Sequence, residues 1–440
     1  MTISPQAYLD HLLAQITVTG VQDVTAADTR GRILAGPVRA RHPLPLWDSS
    51  AMDGYALRSD DAARARPDDP ARLEVIGEVE AGSGLDPALG PRQTVRIMTG
   101  APLPTDADAV VRVEDVLTDP RNEAGLGVQE DRWAGARIGI PRPVPSGHDV
   151  RRAGEDLAVG DPIAEEGDLV TAALAAAIAA GGPDTVPVRR LPRVAVLTTG
   201  SELVTPGADL RRGQVPESNS VLVTGMLAEL GVTASLVRTP RDDVDAFRRL
   251  LQQVAAQHDL VLTTGGVGPG SRDVVRLALE ADEPGVQPAH VAMSPGRPQR
   301  GGPLRGGALA LCLPGNPVAV AVSTELFVRP VVRAMQGARI LHRRRVRMRA
   351  GTSWRARPGR LQVLPVRVIG PTGTGTDAGS GGRADLARVD DQVVVPAVSV
   401  GGVSHAVGRY GSSDALALVG PEDGDVREGQ YVTVIPTGLQ

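Results

Sequence analysis

Apolar positions along this chain fall into two alternating rhythms. Near the start, Tyr8, Leu9, Leu12, Leu13 and Ile16 lie on one face of a helix, with Ser4 and Pro5 as start signals. From about 41 to 148 the texture changes to short β-like runs, among them LEVIGEVEAG and TVRIMTGA, broken by Gly and Pro. This predicts a small inserted β domain. A second helical piece, LVTAALAAAIAAGG at 169–182, is too short to cross a bilayer. With RRAGEDLAVGD and the N-terminal helix it is expected to form a linker module from residues 1–40 and 149–188. Between 189 and 335, strands alternate with helices. RVAVLTT, TASLVRT, DLVLTTGG, HVAMSP and ALALCLPG read as strands; NSVLVTGMLAELG, DVDAFRRLLQQVAAQ, RDVVRLALE and a long run from Val318 to Met335 read as helices. That alternation predicts a doubly wound α/β domain on a parallel sheet with right-handed crossovers. Residues 336–440 return to β texture, with a Gly/Thr/Ser-rich loop at 371–383 expected to be mobile and DGDVREGQYVTVIP read as a hairpin. The fold class expected is thus multidomain α/β.

Composition narrows the function. The 440 residues are 42% hydrophobic and 22% charged, which fits a globular chain of two to four domains. No apolar run reaches about 18 residues and the N-terminus lacks a basic-then-apolar leader, so a cytoplasmic protein away from membranes is expected. One cysteine, Cys312, excludes an internal disulfide and a cysteine-rich metal site; it and the scattered histidines read as a core thiol and surface imidazoles. A net charge of −4 with 2% aromatics offers neither a basic groove nor stacking platforms for nucleic acid. The chain contains no lysine, so every basic side chain other than histidine is an arginine.

In a doubly wound sheet, ligands bind outside the carboxyl ends of the strands. Here those ends read TTGSE (198–202), PRDD (240–243), TTGGVGPGSRD (263–273), SPGRP (294–298) and LPGNP (313–317), a row of glycines, prolines, hydroxyls and acids. The two TTG segments, with Thr199, Gly200, Gly265, Gly266 and Gly268, can bring backbone N–H groups close to an anion ahead of a helix N-terminus. Neither has Walker A spacing, and no lysine could complete one, which argues against an ordinary kinase or ATPase. Glu202, Asp242, Asp243 and Asp273 share this rim. Carboxylates beside an anion cradle call for an oxygen-ligated divalent cation, most plausibly Mg²⁺; the alternative is that they only favour helix dipoles. Earlier in the chain, WDSSAMDGYALRSDD sets Asp53 inside a strand-like segment, where an acid is out of place.

SSAMDGYAL, RIMTGAPLPTDADAVVRVED, RRAGEDLAVGD, VAVLTTGSELV, PESNSVLVTGMLAELG, TTGGVGPGSRDVV, MSPGRP and LPGNPVAVAVS follow the order seen in the MoeA/gephyrin family of molybdopterin molybdenumtransferases. The chain resembles that family over nearly its whole length. The resemblance implies a MogA-like molybdopterin-binding domain at 189–335, and insertion of molybdenum from molybdate into adenylylated molybdopterin with release of AMP and with Mg²⁺ present. It also implies a homodimer, with an upstream adenylyltransferase and downstream molybdoenzymes as further partners. By the same carry-over Asp53, Thr99, Asp156, Glu202, Asp242 and Asp273 are implied in activity, the last three on the metal side and the first three as a wall supplied by the second subunit. Ser218, Asn219, Ser294, Arg297, Pro314, Gly315, Asn316 and Pro317 join Thr199, Gly200, Gly265, Gly266 and Gly268 as implied substrate-binding positions. Two departures stand out. A KPGKP-like segment is SPGRP here, which leaves Ser294 where a lysine is usual, and a GGVSVGE-like loop is GGVGPGS, which puts Gly268 and Ser271 where a serine and a glutamate are usual. Losing the cation at Ser294 is expected to raise the molybdate requirement. Two other readings are a non-catalytic molybdopterin-binding or carrier paralogue, and a nucleotide enzyme like the molybdopterin adenylyltransferases or CinA, against which the AMDGYA module argues.

Overall fold

A computed structural model describes residues 2–118, 136–239, 243–265, 267–268, 273–370 and 392–438. The Gly/Thr/Ser-rich loop at 371–383, Asp242, Gly266 and Ser271 lie outside the described residues.

The central sheet contains β1 (Thr2–Ile3), β2 (Val194–Thr198), β3 (Ala234–Arg238), β4 (Leu260–Thr264), β5 (Gln287–Val291), β6 (Pro298–Pro303) and β7 (Leu309–Leu313). Their spatial order is β1-β5-β6-β7-β4-β2-β3. The pairs β3/β2, β2/β4, β4/β7 and β5/β1 are parallel, whereas β6 runs antiparallel to both neighbours. The sheet is therefore mixed, not wholly parallel as the pattern predicts. Strand β6 is illegible in sequence because PQRGGP is all proline, glycine and polar residues, which strands disfavour. Its glycine has a packing reason: a Cβ on Gly301 would lie 2.7 Å from Leu12 Cδ2 and 2.8 Å from the Tyr8 hydroxyl.

That contact explains a second difference. Helix α1 (Pro5–Leu13), capped by the Ser4 hydroxyl on the Ala7 amide, lies on the central sheet together with β1. The sequence grouping put it with the linker. Tyr8, Leu9 and Leu12 are at most 3% exposed and share a core with Val196, Leu262, Leu311 and Phe327. Each such side chain contributes about 1.5–3 kcal/mol. Tyr8 meets Phe327 edge-on, with ring centroids 4.9 Å apart. On the same face sit α2 (Asn219–Ala228) and a helical run made of Pro317–Ser323, a π-helical turn at Thr324–Val328, and Arg329–Met335. The opposite face carries α3 (Val244–Ala255) and α4 (Val274–Asp282), whose Phe247, Leu251, Val275 and Leu279 pack on Leu197, Val261 and Ala310.

Residues 54–140 hold a six-stranded sheet among the described residues, built around Tyr55, Leu57, Val75, Val95 and Ile97. The chain on either side of it meets through antiparallel pairs: Val21–Thr25 with Thr185–Arg189, Val38–Arg39 with Pro162–Ala164, and Ser49–Ser50 with Val150–Arg151. The C-terminal part forms another six-stranded sheet, in which Ala415–Val419 and Tyr431–Pro436 are the hairpin arms. DGDVREG is thus the connection between arms and not one of them. An edge strand of that C-terminal sheet is Met293–Ser294, paired with Leu361–Gln362, so the chain passes from the central sheet to the C-terminal one directly after β5.

Where the linker enters the central sheet, Asp259 accepts bonds from Arg190 Nη1 (2.9 Å), the Arg193 amide (2.7 Å) and Arg193 Nη2 (3.1 Å). Burial alone would raise this carboxyl, but the two arginines outweigh it and hold it well below the usual carboxylate range. A depressed carboxylate contributes stability that is complete above its unfolded pKa and is lost as pH falls through its folded one. Asp259→Asn is therefore expected to lower the unfolding midpoint at pH 7, and the gap to wild type to start narrowing below about pH 4 and to keep narrowing as the pH falls further. Urea titrations across pH would read this, and a gap unchanged by acid would show that the carboxylate charge is not what the arginines hold.

Candidate active site

Strands β2, β4 and β7 lie side by side and end together. From β2 the chain moves outward to β3, then crosses back to β4 on the other side of β2, so the strand order reverses between β2 and β4. A crevice opens at such a point. Three strand-end loops close on it. The Gly265 amide donates to the Leu313 carbonyl (3.1 Å), and a Cβ on Gly265 would lie 3.7 Å from the Thr199 carbonyl oxygen and 3.9 Å from Gly315 Cα. With φ of +83°, Gly265 holds a conformation that other residues rarely adopt. From α2, Asn219 Nδ2 donates to the Gly315 carbonyl (2.8 Å), while its Oδ1 is buried without a protein partner. Thr264 Oγ1, at the end of β4, is likewise buried and unpartnered. Ser218 is the N-cap residue of α2 but makes no side-chain capping bond. Thr199, Gly200, Ser218, Asn219, Gly265, Pro314, Gly315 and Pro317 thus belong to one rim, and Gly268 follows on the β4 loop.

The rim acids differ in circumstance. Glu202 folds back over Gly200, where an added Cβ would lie 2.7 Å from its Oε2. Asp273 is the N-cap of α4 and accepts the Arg276 amide at 2.9 Å. Burial raises its pKa against the pull of that amide. Asp243 caps α3 in the same way, accepting the Ala246 amide at 3.0 Å. Both N-cap acids therefore have a helix-start role. Among the described residues no three acids, imidazoles or thiols converge as a metal site. Glu202 and Asp273 lie on separate loops, and Asp242, the third acid of the expected metal group, lies outside the described residues. Cys312 is buried on β7, its thiol pushed up to about 11 by burial.

Beside the crevice lies a cleft of about 280 Å³ between the central and C-terminal sheets. Ser294 and Arg297 line it from one side, Pro314 and Asn316 from the strand-end loop, and Arg357 and Arg360 from the C-terminal sheet. Asn316 Nδ2 reaches Ser404 Oγ at 3.4 Å across the cleft. Arg357 and Arg360 are absent from the site read in sequence. A signal existed in RARPGR, a Pro–Gly turn bracketed by arginines, but it sits within a stretch whose β texture carries no chemistry. With Arg297 they make three guanidiniums that line the cleft beside Ser294.

Asp53 and Thr99 form a separate pair on the inserted sheet. The Asp53 Oδ1 accepts the Thr99 amide (2.7 Å) and the Thr99 hydroxyl (2.8 Å), and these bonds, the amide first, lower its pKa. The residue is exposed, and the two bonds order AMDGYA against IMTGA. Asp156 is exposed on the loop after Val150–Arg151, its amide bonded to the Leu44 carbonyl at 2.9 Å. Among the described residues no hydrogen bond or ion pair joins Asp53, Thr99 or Asp156 to the rim of the central sheet.

Comparison with known proteins accounts for both halves of this arrangement. Residues 3–182 match the MoeA N-terminal region (domain I and II), and residues 195–334 match the probable molybdopterin binding domain. Molybdopterin molybdenumtransferase 2 of Mycobacterium tuberculosis is 39% identical over 319 residues, spanning 71% of this chain and 75% of that protein. The chain belongs to the molybdopterin molybdenumtransferase family. The molybdopterin molybdenumtransferase of Synechococcus elongatus is 36% identical over 344 residues, 76% of this chain and 81% of its own length. Two solved structures of the MoeA protein of Pyrococcus horikoshii share the fold. One has a TM-score of 0.73 at 26% identity, covering 100% of both chains; the other has 0.76 at 23%, covering 99% and 100%. A family member of this kind is a transferase of molybdenum cofactor biosynthesis, and the match over 3–182 sets it apart from a stand-alone nucleotide-binding α/β domain.

Among the described residues the Asn219 side chain supplies the one hydrogen bond between α2 and the strand-end loop at Gly315, which gives it a measurable weight. Asn219→Ala is expected to cost about 1 kcal/mol of stability, and Asn219→Asp more, because a carboxylate would then face the Gly315 carbonyl. Urea midpoints for the two variants check this; equal midpoints for all three proteins would mean that the loop holds its place without Asn219.

Proposed function

We propose that this family member inserts molybdenum from molybdate into adenylylated molybdopterin, releasing AMP. One observation carries the reading: the LPGNP loop lines both the glycine-edged crevice and the arginine-lined cleft, so one short segment adjoins an anion cradle and an oxyanion pocket. In this reading the crevice beside Gly265 and Gly268 receives the nucleotide-bearing pterin, with the Thr264 hydroxyl as a donor to a phosphate oxygen and Asn219 Oδ1 as an acceptor for a pterin N–H. Arg297, Arg357 and Arg360 take the molybdate dianion, with Ser294 as a neutral donor. Mg²⁺, if it enters with the nucleotide, would approach Glu202; no resident site is assigned to it.

The same reading makes the protein a homodimer. Asp53 and Thr99 are preorganised and exposed yet lie on a different sheet from the rim, and a second copy could bring them to it together with Asp156. Cytoplasmic residence fits this role, with an upstream adenylyltransferase and downstream molybdoenzymes as partners; among the described residues no helix is long and apolar enough to cross a membrane.

Incubation with adenylylated molybdopterin and molybdate, following AMP release and cofactor formation, is the direct test. Pterin binding without AMP release would favour a carrier instead. Asp53→Asn should abolish turnover while circular dichroism and the unfolding midpoint stay near wild type; full turnover in that variant would remove Asp53 from the reaction.

The cleft makes a sharper prediction. A charge-assisted bond to a guanidinium is worth about 1.5–3 kcal/mol, or roughly tenfold to a hundredfold in affinity. Arg360→Gln should raise the molybdate concentration for half-maximal cofactor yield by about that factor. Ser294→Lys should shift it by less than about tenfold, because charge is already present. The opposite ranking would place the oxyanion at Ser294 and away from the C-terminal arginines.

A further inference from the structure

Away from the crevice and the cleft, a cavity of about 340 Å³ opens where the helical run Pro317–Met335 meets the linker segment at Gly167–Leu169. Its walls are charged. Arg329 bonds Glu325 (2.9 Å) and Glu229 (3.0 Å), Arg343 bonds Glu229 and Glu325 (3.2 Å to the latter), and Arg339 bonds Asp168. Glu325 is buried and sits in the π-helical turn, a departure from α-helix that recurs at functional sites.

Arg333 is the exception. It is 9% exposed and lines the same cavity, but it donates from Nη1 to a neutral amide, Gln336 Oε1, at 3.1 Å, and among the described residues no carboxylate pairs with it. Four guanidiniums and two carboxylates, Asp168 and Glu229, line the cavity, and even with Glu325 behind Arg329 and Arg343 the arginines outnumber the acids, with the surplus charge on the most poorly matched of them. A buried charge without a counter-ion is costly. Nor can Arg333 escape by losing its proton: burial, with Arg329 and Arg343 nearby, lowers its pKa only to about 10. Gln336, itself 1% exposed, cannot neutralise it.

We propose that this cavity is a binding site for a small tetrahedral oxyanion of the sulfate or phosphate class, with Arg333 as its main ligand. The planar guanidinium fork suits two oxygens of such an ion, and the neighbouring arginines add to the local positive potential while staying anchored by their own carboxylates. The site is independent of the cleft at Ser294, from which it differs in every lining residue.

Equilibrium dialysis of the full chain against radiolabelled sulfate, with chloride as the balancing salt, tests this. Wild type should show a sulfate site that survives Arg297→Gln, a change confined to the cleft, and that is weakened at least tenfold by Arg333→Gln. Unlabelled phosphate should compete for it. Ala338→Glu, on the cavity wall, supplies a carboxylate beside the arginines and should also weaken sulfate at least tenfold; it decides the matter if Arg333→Gln fails to fold. Sulfate binding that disappears in Arg297→Gln, or that is unchanged in both cavity variants, would overturn the assignment.

Discussion

Everything near the crevice depends on how closely three loops can approach at the carboxyl ends of β2, β4 and β7. Parallel strands in register bring their ends to one line, and the loops leaving them must then share little space. Gly265 and Gly315 meet there beside the Thr199 carbonyl, and the Gly265 amide is tied to Leu313. A side chain at Gly265 would have to fit between two backbones while adopting a backbone conformation that disfavours it. The narrow junction leaves the Thr264 hydroxyl and Asn219 Oδ1 as buried polar groups without protein partners, and the LPGNP loop departs from it toward the arginine-lined cleft.

The fold was legible where periodicity was strong and opaque where packing overrode composition. RVAVLTT, DLVLTTGG and ALALCLPG are apolar enough to announce buried strands, and all three became neighbours in the central sheet. PQRGGP could not be read as a strand, because its place is secured by β5 and β7 on its flanks and by a helix some three hundred positions away in sequence pressing on Gly301. The helical pattern of α1 was equally clear, but an amphipathic stripe says only that something covers it. What covers it is a tertiary fact.

The site divides in the same manner. Motif-bearing loops were visible because glycine, proline and acids cluster at strand ends. Arg357 and Arg360 were not, since their relevance comes from a second sheet folding against the first through the Met293–Ser294 edge. The acids show another case: Glu202, Asp242 and Asp273 read as a metal group in sequence, of which Asp273 also caps a helix amide, as Asp243 does, while Asp242 lies outside the described residues. The Asp53–Thr99 pair lies between these cases, with both motifs readable and their mutual hydrogen bonds supplied only by adjacent strand ends.

The docking of α1 and β1 against β5, β6 and Phe327 has a consequence for the order in which the molecule assembles. The central core is closed by a contact that spans most of the chain, and the inserted sheet and linker pairs all lie inside that loop. Closing a long loop adds little to the equilibrium cost, since the entropy grows only with the logarithm of its length. Its effect is on rate, because distant contacts form late. The inserted sheet, whose strands are close in sequence, can form while the central core still lacks its covering helix, so the surface that waits exposed is the one around Val196, Leu262 and Leu311.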